Sequence, residues 1–181
     1  IPKKNYKYHI DYVVLTHPHK DHIRGLKDIV DDKEISIGEI WESGHRTRDD
    51  DDEYKKYVEI MNRSNLSVYR AQASSSPFAE IDDIKIFMFA PSSYVSEEDK
   101  DDPRKAIHNR CMVMKIEYNG RSILFTGDSS FESWQERIVP NYSDENEEID
   151  ENLICSDVLS ISHHGSRTFF MEKEGDEPYL D

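Results

Sequence analysis

The most constraining feature of the chain is a run near its start, Tyr12-Val13-Val14-Leu15-Thr16-His17-Pro18-His19-Lys20-Asp21-His22. Four apolar residues in a row read as the interior of a strand. That strand empties at once into three imidazoles and a carboxylate. On an extended or turning loop, His17 and His19 can point the same way. Asp21 and His22 belong to the start of the following helix and can address a second point. Imidazole nitrogen and carboxylate oxygen together suit zinc, iron or manganese. Two metals about 3.5–4 Å apart can clamp an attacking and a leaving oxygen. A histidine-rich surface loop is the plain alternative. Four ligand-type residues in this tight order favour a metal site over it.

Two more polar clusters follow strand-like segments. Asp128 sits in Leu124-Phe125-Thr126-Gly127-Asp128-Ser129, placed either to bridge metals or simply to make a turn. His163-His164-Gly165-Ser166 follows the apolar run Asp157 to Ser162, expected to be a buried strand. Between these clusters the pattern predicts a buried strand over 9–15, a helix over 21–31 and a strand over 35–41. A helix over 53–62 opens on the acidic run Asp49 to Glu53, where the helix dipole favours negative charge. Strands are expected over 67–71 and 81–90, the latter stopped by Pro91. A hairpin over 112–126 turns at Asn119-Gly120, and a helix covers 131–139. Residues 92–106 and 141–151 read as charged loops. Trp41 and Trp134 read as core. Ligands on loops at strand ends converge readily, because adjacent strands place their ends side by side.

Apolar residues make up 36% of the chain and charged residues 34%, against about 45–50% and about 25% in typical domains. The chain is polar, yet its strands are apolar enough to form a core. A formal net charge of −15 argues against a broad electrostatic footprint for nucleic acid. It leaves open a nucleic-acid substrate held through metal ions, since bound cations invert the local field. Cys111 and Cys155 are expected to be buried free thiols. No stretch is long and apolar enough to span a bilayer, and no secretory signal is in view, so the expected compartment is the cytoplasm. The chain starts at Ile1, which suggests a fragment of a longer protein.

In this order, and each after a strand, T-H-P-H-K-D-H, G-D and H-H-G-S resemble the metallo-β-lactamase fold hydrolases. The flanking segments I-W-E-S-G, N-R-C-M-V-M-K-I-E-Y-N-G-R-S-I-L-F-T-G-D and D-V-L-S-I-S-H-H-G-S are most similar to the ComEC-like branch, the hydrolase domain of DNA-uptake channel proteins and its stand-alone relatives. The resemblance covers nearly the whole chain. It implies one α/β domain over 1–181, a four-layer αβ/βα sandwich with two divalent metal ions, zinc or manganese, between the sheet ends. By position, His17 and His19 hold one metal, Asp21, His22 and His163 hold the second, and Asp128 bridges. A metal-activated water is the nucleophile. Asp21, Asp128 and His164 form the catalytic set, His164 as a substrate contact or proton donor, or as a ligand in place of His163. Asn109 and Ser166 are candidate substrate contacts. His45, in the loop Ser43-Gly44-His45, is either a substrate contact or plain solvent loop, and Arg46 and Arg48 are either contacts for an anion or solvated surface.

Two departures from the family pattern stand out. Most members supply a further histidine to the first metal from a middle motif, where this chain reads His108-Asn109-Arg110-Cys111. The ComEC-like branch tends to carry Asn there, with Ser two positions on, where Cys111 now stands. His108 substitutes only if its ring turns inward. Little also precedes Thr16, and the chain stops soon after His164, so the sandwich is expected to be incomplete at both ends. The function implied is a metal-dependent phosphodiesterase or nuclease acting on single-stranded nucleic acid or a nucleotide, with further domains or a partner protein. Two alternatives are a non-catalytic module of the same fold inside a larger assembly, and hydrolysis of an ester, thioester or lactam.

Overall fold

The computed structural model describes residues 7–46, 51–92, 107–142, 153–166 and 169. Two sheets form. The first holds β1 (Tyr8–Leu15), β2 (Ile35–Glu42) and β3 (Ser67–Arg70), in that order and all parallel. Parallel strands need crossovers, and helices supply them. The links are α1 (Lys20–Ile23) and α2 (Leu26–Asp31) between β1 and β2, and α3 (Asp52–Met61) between β2 and β3. The second sheet runs β4 (Ala79–Ile81), β5 (Ile84–Ala90), β6 (Val113–Tyr118), β7 (Arg121–Phe125) and β8 (Val158–Ser160). Its pairings are antiparallel except β7 with β8, which is parallel.

Side-chain alternation sorts the layers. Along β5, Ile86 and Met88 join Trp41, Met112 and Met114 in a core between the two sheets. Phe87 and Phe89 point the other way and pack with Val113, Leu124, Ile138 and Tyr142. Ile138 and Tyr142 belong to the segment after β7, in which α4 (Phe131–Ser133), a π-helical turn (Trp134–Ile138) and α5 (Val139–Tyr142) follow one another. Leu15 and Ile40 face Ile23, Leu26, Tyr54, Tyr57 and Ile60 of α1 to α3. The order is therefore helices, sheet, sheet, helices, the αβ/βα sandwich expected. Full burial of a side chain such as Ile40, Ile60 or Met88 contributes about 1.5–3 kcal/mol each.

Several expectations are corrected. The helix over 21–31 breaks at Gly25, whose φ of 88° lies in the left-handed region open to glycine. Ile29 is consequently exposed. β1 is buried only toward its end, and Tyr8, His9, Asp11 and Tyr12 are exposed. The strand over 81–90 is a hairpin, β4 and β5, turned at Asp82 with φ 51°. Among the described residues β8 is an edge strand, exposed throughout rather than buried. Cys155 is an exposed thiol in the coil before β8, and Cys111 is buried as expected. Asn119 and Gly120 both take positive φ, at 49° and 72°, as the Asn-Gly turn requires. The charged segments expected as loops over 92–106 and 141–151 lie almost wholly outside the described residues, as does Arg48. Among the described residues no helix is long and apolar enough to cross a membrane.

This topology fixes where polar groups gather. The ends of β1 and β2 lie side by side, with Leu15 opposite Glu42. The parallel ends of β7 and β8 do the same, with Phe125 opposite Ser160. The Met112 amide donates to the Thr16 carbonyl at 2.8 Å, joining the end of β1 to the segment entering β6. The three motif segments therefore meet at one end of the sandwich.

Candidate metal centre

His17 leaves β1 fully buried, at 1% exposure. Pro18 keeps the chain extended there, and His19 is the N-cap residue of α1, with φ −73° and ψ 150°. The His19 carbonyl accepts from the amides of His22 and Ile23 at 2.9 and 3.1 Å, and buried Ile23 anchors the turn. This sets the three rings together. His17 Nε2 stands 3.1 Å from His19 Nδ1, and the rings of His17 and His22 are 4.1 Å apart.

Asp128 reaches this group from the end of β7, almost wholly buried. Its Oδ2 lies 3.6 Å from His17 Nε2, 3.3 Å from His22 Nε2 and 3.9 Å from His163 Nε2. Its Oδ1 lies 3.6 Å from His164 Nε2, which is also 3.6 Å from Asp21 Oδ2 and 3.2 Å from His22 Nε2. The result is two groups, each with donor atoms within 4.8 Å of one another and able to hold a metal ion. The inner group is His17, His19, His108 and Asp128; the outer is Asp21, His22, Asp128 and His164. Asp128 belongs to both.

His108 is the member that sequence reasoning undervalued. It sits in a helical turn over 107–109, and its ring faces inward. Ring centroids place it 4.8 Å from His19, 4.7 Å from His163 and 5.8 Å from His17. Its Nε2 is buried without a hydrogen-bond partner, an expensive state for an imidazole unless something else takes the lone pair. His163 stands beside His108, and His164 rather than His163 joins the outer group.

Electrostatics put the donors of the inner group in the form a cation needs, neutral imidazole and ionised carboxylate. Burial, then the neighbouring imidazoles, pushes His17 down to about 2. Burial likewise lowers His108 to about 4 and depresses His19. For Asp128, burial acts upward, but the His22 hydrogen bond and the surrounding histidines outweigh it and hold the carboxyl at about 2. His22 is raised, mainly by its hydrogen bond to Asp128. The donor set and the orphaned His108 nitrogen both fit a divalent metal.

A frame of hydrogen bonds aligns the two halves. Thr126 Oγ1 donates to the Ser160 carbonyl at 2.6 Å, and the His163 amide donates to the Gly127 carbonyl at 3.0 Å. Ser162 Oγ donates to the Ser129 carbonyl at 2.6 Å, and Trp134 Nε1 donates to Ser129 Oγ at 2.7 Å. Above this frame His163 and His164 both take left-handed backbone, φ 50° and 53°, a strained choice of the kind found where surroundings dictate the geometry.

The remaining expected contacts fall elsewhere. Asn109 is buried; its Oδ1 accepts from the Ser130 hydroxyl, and its carbonyl accepts from Ser133 Oγ at 3.4 Å. Its place is in the support of the His108 turn rather than on the open side. His45 is buried and outside both groups. Ser166 closes the histidine turn through its amide, which donates to the His163 carbonyl at 2.8 Å. Arg46 forks onto fully buried Glu42 at 2.7 and 3.0 Å, and Tyr57 donates to the same carboxylate at 2.6 Å, so the Arg46 charge is matched inside the protein. A cavity of about 370 Å³ opens beside the cluster, lined by Pro18, His19, Lys20, Asp21, Ile23, Asp51 and Tyr54.

No curated protein matches the chain. A family model described as the metallo-beta-lactamase superfamily matches residues 8–157. That superfamily consists mostly of metal-dependent hydrolases, and a divalent-metal site is what the His/Asp cluster suggests. With the greater part of the sequence matched, the chain belongs to the metallo-beta-lactamase superfamily.

Proposed function

We propose that the protein is a metal-dependent phosphodiesterase with a dinuclear site, of the ComEC-like kind. The observation that carries the reading is the double membership of Asp128, a carboxylate common to two adjoining donor groups. His17, His19 and His108 would hold one ion, Asp21, His22 and His164 the other, and Asp128 would bridge. Two divalent ions, zinc or manganese, would supply an activated water and neutralise charge on the phosphoryl oxygens. The residues themselves do the rest. Buried His17 and Asp128 keep water away from the inner side, whereas Asp21 and His164 stand at the open lip with side chains 67% and 65% exposed. The Asp21 carboxylate there can accept a proton. His163, next to His108, is left to contact the substrate or pass a proton to the leaving oxygen, and Ser166 flanks the same turn. The cavity beside His19 and Asp21 offers room for the nucleoside portion of a substrate.

The substrate class rests on the likeness of the H-H-G-S and hairpin segments to that branch, and fold alone is a weak guide to substrate. Single-stranded nucleic acid or a small nucleotide suits the acidic chain better than long duplex does. A cytoplasmic setting and further domains or a partner protein belong to the same reading. The test is metal content together with cleavage of bis-p-nitrophenyl phosphate and single-stranded DNA, with and without Asp128→Ala. About two metals per chain and turnover with manganese or zinc are expected, both lost in the variant. A protein with neither stoichiometric metal nor turnover would instead be a binding module of the same fold.

A further inference from the structure

Cys111 is buried behind the inner group and belongs to neither donor set. Its sulfur nevertheless touches two members of the cluster from the far side. Cys111 Sγ lies 3.6 Å from His17 Nδ1, and the Asp128 amide donates to it at 3.1 Å. The thiol hydrogen has an outlet of its own, since Sγ donates to the Met112 carbonyl at 3.7 Å. With that hydrogen on the Met112 carbonyl the sulfur faces His17 and Asp128 as an acceptor; the 3.6 Å contact with His17 Nδ1 itself fits either direction. Its closeness to the loop is built in: a Cβ at Gly127 would stand 2.5 Å from this sulfur. Only a residue without a side chain lets the Asp128 amide come so near.

The consequence falls on the tautomer of His17. A neutral imidazole carries its proton on one nitrogen, and the other is left with the lone pair. Thr16 Oγ1, 3.2 Å from His17 Nδ1, decides nothing by itself, because a hydroxyl can donate or accept. A sulfur on the same side, its hydrogen directed to the Met112 carbonyl, breaks the tie. We propose that Cys111 is a positioning residue whose sulfur accepts from His17 Nδ1–H and from the Asp128 amide, turning the His17 Nε2 lone pair toward the metal group. The inference rests on the reading of His17 as a ligand. Groups behind metal-binding histidines commonly alter metal affinity by 10- to 100-fold.

The test uses metal-free protein with nitrogen-15 labelled histidine, and reads the His17 tautomer from long-range proton–nitrogen correlations. Zinc affinity is measured in parallel by competition with a chromophoric chelator. Wild type should carry the proton on Nδ1. Cys111→Ala should shift His17 toward a mixture and weaken zinc about tenfold or more. Cys111→Ser keeps an acceptor and should restore most of both. The wild-type tautomer is informative even if the alanine variant folds poorly. An Nε2–H tautomer in wild type, or an unchanged Nδ1–H tautomer in Cys111→Ala, overturns the proposal, whatever happens to affinity. Absence of zinc binding by wild type would sink the metal reading of the site separately, because the tautomer is read without metal.

Discussion

At the scale of single residues, the inner group is made of imidazoles that the fold keeps neutral. Folded His17 resists protonation down to about pH 2, from an ordinary 6.5. Below pH 6.5 the unfolded chain therefore binds a proton that the folded chain refuses, and stability falls with pH. His108, lowered to about 4, adds to the same slope. Raised His22 works the other way: its contribution is complete below 6.5 and is lost as pH rises through its raised value. Metal-free protein is expected to lose stability on acidification from about pH 7 to about pH 5. His17 accounts for at most about 1.4 kcal/mol per pH unit. Urea titrations across that range check it, and His17→Asn should flatten the profile.

Ligand roles separate by stoichiometry. His164→Ala should remove about one metal per chain while leaving the inner group filled, and His108→Ala should do the converse. His163→Ala should keep both metals and lower turnover about 10²–10⁴-fold. Metal analysis after desalting decides between this assignment and one with His163 as the ligand. The histidines of the first motif were legible because their partners are neighbours in sequence. His108 was not, since its ring direction is set by one turn whose geometry no periodicity records. The surroundings of Asn109 were hidden for a related reason: its side-chain oxygen accepts from Ser130, a partner 21 residues away.

At the scale of elements, the strand character of residues 84–90 and the Asn-Gly turn were readable as they stand. The break at Gly25 was weaker in the sequence, because apolar spacing runs on across it. The exposure of β8 was invisible, since an apolar edge strand and an apolar central strand read alike. Close approach between strands was equally hidden. A Cβ at Gly38 in β2 would stand 2.5 Å from the Asp11 carbonyl oxygen of β1, a backbone atom with no room to yield. Gly38→Ala is expected to destabilise the protein by about 1–3 kcal/mol, read as a lowered thermal midpoint. An unchanged midpoint would mean that the two strands can part at no cost.

At the scale of the whole molecule, a net charge of −15 sets a condition on any nucleic-acid substrate. Without cations the summed field repels phosphates. Single-stranded DNA should show no measurable binding in chelator and should bind when manganese is added, with the gain lost in Asp128→Ala. Fluorescence anisotropy reads this directly. Tight binding in chelator would put the nucleic-acid contact on a surface away from the cluster.

The contact between His22 and His164 joins positions 142 residues apart. On a ribosome adding about 5–20 residues per second, that separation is a delay of roughly 7–30 s. For all of it, the nascent chain carries Asp21 and His22 without the His164 that completes the outer group. A cation meeting the chain in that interval finds only half a site and is held loosely. Firm loading waits for β8 and the histidine turn behind it to dock, so a full metal complement would report that the two sheets have come together.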